Sequence, residues 1–332
     1  MGFQGPDARK GIELAIKQLK EGGSAVDYEL VIADDECTPA GGASAFRNLL
    51  EVQQVDVILG SGCSGATLGG MPALLEGAEV SAITYGSTNP KITSAGNPFM
   101  WRMNLNDATI AKSFSQYILD DGVKSVHILS VNNDFGRGAA DVYQKSLPEL
   151  DVEVKGSDFF TTGTADLRSM MSKIAQGKPD AILFFGEPPD CALLVRQKRE
   201  LNIDVKLFSR GGCYTDEALH LMGDPKLGNG LTEAAYWART PEQPMVEAFK
   251  ATYGDYPAYN AALAYYAMLT VNEAVKAGGA SREGINKGLA EVDAVLDIGP
   301  IKFDETRQAY PNLFLVRIDD GESKVLKTVT TH

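Results

Sequence analysis

The sequence predicts an α/β fold: two Rossmann-like lobes with mainly parallel sheets, joined by a multi-segment hinge. Three observations point there. Short apolar runs alternate with helix-length amphipathic segments along most of the chain, the pattern of βαβ units with parallel strands. The joints between them are polar or rich in glycine, as turns at element ends require. The chain has 332 residues, more than one ordinary core holds, so two domains are expected.

Taken in order, "ARKGIELAIKQLKEGG" is an amphipathic helix closed by Gly22-Gly23, and "YELVIADDE" after it is a strand. "AGGASAFRNLLEVQQ" reads as a helix, "VDVILG" as a strand, "GATLGGMPALLEGA" as a helix and "VSAITYG" as a strand. A second series opens with helix "DATIAKSFSQYILDDG", strand "SVHILSV", helix "GRGAADVYQKSL" and strand "EVKGSDFF". It continues with helix "DLRSMMSKIAQGK", strand "DAILFFG", helix "DCALLVRQKRELN" and the strands "VKLFSRG" and "GLTEAAYWA". Three late helices, "PMVEAFKATYG", "AYNAALAYYAMLTVNEAVKAG" and "SREGINKGLAEV", precede the final strands "GPIKFD" and "NLFLVRIDDG". The late helices have to cover a sheet, and the first half is short of helices. The chain is therefore expected to return to its first lobe. Residues 1–105 with 239–308 form lobe 1, and residues 106–238 with 309–332 form lobe 2. A domain of this class opens on a strand, whereas Met1-Gly2-Phe3 leads straight into a helix. Lobe 1 is thus expected to lack its opening strand through truncation.

Charge and composition exclude several functions. Lys and Arg number 31 against 44 Asp and Glu, a net charge of −13, which repels nucleic acid and anionic lipid. No apolar run reaches the roughly 18 residues of a membrane span. Cys37, Cys63, Cys191 and Cys213 have no C-x-x-C spacing, and His127, His220 and His332 are scattered, so neither a zinc site nor any other metal is expected. His127 lies within an apolar strand and reads as a core or edge residue. No nucleophile with a base and an orienting group is visible, which argues against an enzyme.

Gly60-Ser61-Gly62-Cys63-Ser64-Gly65 spells G-x-G-x-x-G after a strand, the pattern of a dinucleotide-binding turn. That reading requires an acid about 20 positions on, to hold the ribose. The window "VSAITYGST" has none. A P-loop requires a lysine after the glycines, and none follows. Two readings stay open: a site for a small carboxylate at a helix start, or a structural turn. Ligands in open α/β sheets settle beyond the carboxyl ends of strands. Three strands here end in small or polar residues, at 34–37, 60–64 and 85–88.

"DDECTPAGGASAFRNLL", "VDVILGSGCSGAT" and "ITYGSTNPKIT", followed by "SVNNDFGRGAADVY", "DLRSMMSKI", "ILFFGEPPD" and "IGPIKFDETR", together resemble the substrate-binding proteins of branched-chain amino-acid ABC transporters. These are type I periplasmic binding proteins of the Leu/Ile/Val kind, and the resemblance covers nearly the whole chain. It implies a monomeric, non-enzymatic, cofactor-free protein that is periplasmic or extracellular, with a lipid anchor if the chain is truncated. Such a protein captures a small carboxylate ligand, here a hydrophobic or branched-chain amino acid, and passes it to a membrane permease.

The resemblance also implies a ligand set. Ser64 and Thr88 take the carboxylate. The Gly86 carbonyl and the Thr88 hydroxyl receive the α-ammonium, with Ser87 between them. Phe135 covers the apolar part, and Glu187 or Arg210 tunes the charge. The family's first-lobe disulfide corresponds to Cys37 and Cys63, with two free thiols as the alternative. Cys191 and Cys213 follow neighbouring strands, and a second bridge there stays open. The second lobe departs from the family. Phe135 stands where a tyrosine is common, another tyrosine is replaced within Glu187-Pro188-Pro189, and the acid that meets the ammonium falls at Gly211. Glu187 and Asp216 are candidate replacements, whereas Arg210 favours a more negative ligand. The alternatives are accordingly a non-amino carboxylate, such as an aromatic or keto acid, and a ligand sensor on the same fold.

Overall fold

A computed structural model describes residues 4–240 and 242–331. The opening Met1-Gly2-Phe3 and His332 lie outside the described residues. The chain divides into two compact units. One takes the residues up to Asn106 together with Arg239–Asn312, and the other takes Asp107–Ala238 with Leu313–Thr331.

In the first unit, α1 (Gln4–Glu21) buries Ala8, Ile12 and Ala15, a spacing that keeps one face of a helix inward. A Cβ on Gly11 would fall 1.9 Å from the Ala261 carbonyl oxygen, so only glycine lets this helix meet its late partner. Next, α2 (Pro39–Arg47) is capped by the Thr38 hydroxyl, which accepts from the Gly41 N–H at 3.0 Å, and has Pro39 in its first turn, where a missing N–H costs nothing. Strand β1 (Val57–Leu59) leads to α3 (Ser64–Gly70), which tightens into a 3₁₀ turn at Met71–Leu75, where Pro72 stands. Strand β2 (Ser81–Thr84), α4 (Lys91–Ser94) and β3 (Met100–Arg102) follow. The three strands form a parallel sheet in the order β1-β2-β3.

The second unit interposes α5 (Asp107–Asp120), β4 (Ser125–Val131), α6 (Asp134–Ser146), β5 (Glu153–Phe160), α7 (Arg168–Gln176) and β6 (Ala181–Phe185). It runs on through α8 (Pro188–Glu200), β7 (Lys206–Arg210), α9 (Asp216–Leu221) and β8 (Thr232–Ala235). The chain then builds α10 (Pro244–Tyr253), α11 (Tyr259–Gly278), α12 (Arg282–Glu291), β9 (Asp293–Leu296) and β10 (Gly299–Lys302) in the first unit. It ends with β11 (Leu313–Asp319) and β12 (Glu322–Val329) in the second.

The second unit's sheet has the order β12-β11-β8-β7-β6-β4-β5. Its strands from β4 to β8 pair in parallel, and β11 and β12 extend the sheet antiparallel. Every residue of β4 and β6 is buried, as a parallel sheet covered on both faces demands. One buried cluster joins Leu129, Ile182 and Phe184 of the sheet with Leu194 of α8. Against the first unit's sheet, Asn286 of α12 accepts from Ser81 at 2.8 Å and from the Trp101 indole at 2.9 Å. Among the described residues no helix is long and apolar enough to cross a membrane.

The fold class is thus α/β with mainly parallel sheets, as the sequence predicts, with one correction to the strands. "YELVIADDE" forms no ladder: the stretch runs without a strand partner, and Ile32 is 56% exposed. A strand exists only with a hydrogen-bonding neighbour, and none of the described strands pairs with this stretch. Strands β3, β9 and β12 were not expected, nor were α4 and α9.

Candidate functional site

The loops leaving β1 and β2 are sewn together. The Ser61 carbonyl accepts from the hydroxyls of Thr84 at 2.6 Å, Ser87 at 2.9 Å and Thr67 at 3.4 Å. The Ser87 N–H donates to Thr84 Oγ1 at 3.1 Å, and the Ser87 and Thr67 hydroxyls lie 2.8 Å apart. The loops touch at backbone level: a Cβ on Gly86 would lie 2.8 Å from the Gly62 carbonyl oxygen. Cys63 is bonded to Cys37.

This places Ser64, the first residue of α3, against the β2 loop. Its Oγ accepts from the Thr88 N–H at 3.2 Å and the Asn89 N–H at 3.3 Å. A serine hydroxyl has two acceptor positions and one proton. With both acceptor positions taken, Ser64 has a proton left to give. Beside it, Thr88 is 1% exposed and its Oγ1 makes no hydrogen bond. A buried hydroxyl without a partner costs about 1–3 kcal/mol, and such groups mark strain or a missing ligand. Ser87, although adjacent, spends its hydroxyl on Ser61 and Thr67. Ser64, Gly86 and Thr88 are therefore brought together, and the Ser87 side chain turns into the loop that supports them.

Arg102, at the end of β3, escaped the sequence reading. It is wholly buried, and it donates from Nη1 to the Asn89 carbonyl at 2.7 Å, from Nη2 to Thr93 Oγ1 at 2.8 Å and from Nε to Gln308 Oε1 at 2.6 Å. It thereby fixes the loop whose amides bind Ser64. The only signal in the sequence is an arginine inside the apolar stretch "FMWRM". Burial, with Asp35 nearby, pushes the Tyr85 hydroxyl well above its ordinary pKa, so that side chain stays neutral at the end of β2.

The other expected residues belong to the second unit, each with work of its own. Phe135 packs on the hydrophobic core. Glu187 caps α8 in a reciprocal box: its side chain accepts from the Asp190 N–H, and Asp190 accepts from the Glu187 N–H at 3.0 Å. Arg210 is wholly buried rather than solvated at a rim, with Nη1 on Asp107, itself wholly buried, and its guanidinium 5.2 Å from the Tyr236 ring centre. Burial alone would lower the Arg210 pKa; Tyr236 and Asp107 more than reverse this, so the charge is kept. Gly211 has φ +120°, and a Cβ there would stand 1.8 Å from the Gly186 carbonyl oxygen.

Glu233, also unforeseen, gathers that loop. Its carboxylate accepts from the N–H groups of Gly211 at 3.2 Å, Gly212 at 2.7 Å and Cys213 at 2.7 Å, and from the Ser209 hydroxyl at 2.8 Å. Cys213 is bonded to Cys191. His127 bonds Asp158 at 2.9 Å, and Asp158 also meets Lys173 at 2.9 Å, an edge cluster between β4, β5 and α7.

Comparison with known proteins bears on this arrangement. A family described as periplasmic binding protein matches residues 1–323. The chain is 30% identical over 206 residues to an amino acid binding protein of Pseudomonas aeruginosa, a match covering 61% of this chain and 54% of that protein, about half the relative's length. It is 26% identical over 307 residues to the leucine-, isoleucine-, valine-, threonine-, and alanine-binding protein of the same organism, covering 90% of this chain and 80% of the other. Two solved structures share the fold. A branched-chain amino acid transporter substrate binding protein of Streptococcus pneumoniae in complex with isoleucine gives a TM-score of 0.87 at 23% identity, covering 98% of this chain and 94% of that one. A solute binding protein of an ABC transporter from R. palustris in complex with benzoate gives 0.89 at 20% identity, covering 98% and 92%.

Proposed function

From the premise that this chain belongs to the periplasmic binding protein family, as a non-enzymatic solute-binding protein of an ABC transporter, we propose that its solute is a small organic carboxylate on an apolar body, held in the first unit by Ser64 and Thr88. The observation that carries this reading is the Thr88 hydroxyl, buried and without a partner beside a serine that has only a proton to offer. Hydroxyl donors in a desolvated place suit an oxyanion, because charge-assisted hydrogen bonds are the strong ones. Gly86 lets the two loops approach, and Arg102 holds the second loop in place.

The solutes of the two solved neighbours, isoleucine and benzoate, have in common one carboxylate on an apolar framework. The hydrophobic amino acid expected from the sequence is a member of that class. Micromolar binding corresponds to about −8 kcal/mol, within reach of a few charge-assisted hydrogen bonds and buried apolar surface. The protein would work outside the cytoplasmic membrane, where its two disulfides persist, and would hand the solute to a permease.

Isothermal titration with apolar carboxylates and their amides tests the reading on the wild-type protein and on Ser64→Ala. Carboxylates are expected to bind, the amides not, and Ser64→Ala to weaken binding. Equal affinity for acid and amide, or no change in Ser64→Ala, rejects it.

A further inference from the structure

We infer that Gln308 is a positioning residue for solute capture: acting through Arg102, it sets the loop that carries Thr88. This deepens the carboxylate reading above, in which Ser64 and Thr88 take the solute, and rests on it.

From Tyr85 to Asn89 the loop after β2 has no helix or strand of its own, so its shape depends on what grips it. Asn89, next to Thr88 and buried, is held from two sides. Its N–H donates to Ser64 Oγ at 3.3 Å, and its carbonyl accepts from Arg102 Nη1 at 2.7 Å. The second grip serves the first only if the guanidinium is itself fixed, because an arginine side chain has many rotamers to lose. Groups that bind a solute keep their geometry when supporting hydrogen bonds lock them. Gln308 supplies that lock: Arg102 Nε donates to its Oε1 at 2.6 Å.

Gln308 is 1% exposed, and its amide uses every position it has. Oε1 accepts from Arg102 Nε and from Asn106 Nδ2 at 3.3 Å, while Nε2 donates to the Asn104 carbonyl at 2.7 Å and to the Ala309 carbonyl. A side-chain amide offers two donors and two acceptor positions, so donors on one side and carbonyls on the other leave it a single orientation. Glutamate has no N–H to give, and asparagine is one methylene short. The backbone is held as well. The Arg102 N–H donates to the Arg307 carbonyl at 3.0 Å and the Ala309 N–H to the Arg102 carbonyl at 2.9 Å, which lays 307–309 alongside β3. Asp304 shapes the turn before it: Oδ1 accepts from the Thr306 N–H at 2.8 Å, the Thr306 hydroxyl at 2.7 Å and the Gln308 N–H at 3.0 Å, and Oδ2 from the Tyr310 hydroxyl at 2.9 Å. A continuous path thus runs from Asp304 through Gln308 and Arg102 to the Asn89 main chain and Ser64, all within the first unit.

The experiment is titration calorimetry with L-leucine, L-isoleucine, benzoate and 3-phenylpropanoate on the wild-type protein, Ser64→Ala, Gln308→Met and Gln308→Asn, each at a temperature where circular dichroism shows it folded. Gln308→Met is expected to weaken every solute that binds at least ~10-fold, and Gln308→Asn, the gentler change, about threefold or more. Should the methionine variant not fold, the asparagine variant carries the test. Amide hydrogen exchange separates positioning from general loosening. In the Gln308 variants the Thr88 and Asn89 amides are expected to lose protection, while those of Gly60 and Ala82, bonded to the Ile83 and Phe99 carbonyls, keep it. Affinity within about twofold of wild type, or protection lost evenly over all four amides, overturns the inference. If Ser64→Ala still weakens binding, the carboxylate reading stands without it. Failure of every carboxylate to bind the wild-type protein removes that reading and this inference with it.

Discussion

Replacing Thr88 with valine should push stability and affinity in opposite directions. The hydroxyl is 1% exposed and pairs with nothing in the ligand-free protein. Valine keeps the branched shape and removes the unpaired group, whose burial costs about 1–3 kcal/mol. After allowance for imperfect packing, the ligand-free protein should gain about 1 kcal/mol, or roughly 2–4 °C in the melting temperature of a unit of this size. In the bound state the same change deletes a hydrogen bond to a charged group worth about 1.5–3 kcal/mol, which weakens binding roughly 10- to 150-fold. Differential scanning fluorimetry without solute and titration calorimetry with it read the two effects separately. A Thr88→Val protein that melts lower without solute, or binds within about twofold of wild type, refutes the assignment of this hydroxyl.

Ser64→Ala should behave differently: it strands the N–H groups of Thr88 and Asn89, so it should lower stability by about 1–3 kcal/mol and affinity together. Arg102→Met removes three hydrogen bonds at once and should cost the first unit about 2–4 kcal/mol in a denaturant melt; a loss under about 1 kcal/mol would show the arginine to be dispensable. The disulfides span sequence separations of 26 and 22 residues, and cutting either should cost about 3 kcal/mol on loop-closure grounds, read as a lower melting temperature in reductant. Asp180 accepts from the Lys124 N–H and from the Ser125 hydroxyl and N–H, which hold its carboxyl below the ordinary 3.8. Its stabilisation is therefore present above that value and lost as pH falls through the folded one. Asp180→Asn should flatten the acid limb of the stability curve, and an unchanged limb would exclude this carboxylate.

Much of the fold is written in local pattern. The continuous apolar strands β4 and β6 stand out because a buried parallel strand needs no partner information to be recognised. Where the partner decides, the pattern misleads. "YELVIADDE" has strand composition and no ladder, whereas β12 is exposed over most of its length and exists because β11 pairs with it. In the same way β3, three residues including an arginine, is set by β2 and Gln308. Within the site, the glycines and the residues of the post-strand loops could be singled out, since small residues at strand ends announce close backbone approach. The direction of each hydroxyl could not: Ser87 and Thr88 are neighbours in sequence, yet one is consumed by Ser61 and the other is spare. Arg102 and Glu233 were invisible for a related reason, as their partners lie up to 206 residues away.

The chain leaves its first unit at Asn106 and comes back only at Arg239, which orders events on the ribosome. The stretch Asp107–Ala238 emerges unbroken and can collapse while synthesis continues, in the domain-wise manner of nascent chains. The N-terminal stretch has to wait: Gly11 meets Ala261, Gln18 takes the Tyr265 hydroxyl, and Asn286 completes the sheet through Ser81 and Trp101. A nascent chain stopped before α11 would contain Ser64 and Thr88 without the helices that back their strands. The earliest-made loops thus become competent among the last, and shortening the C-terminal half should abolish capture of the solute without removing either hydroxyl.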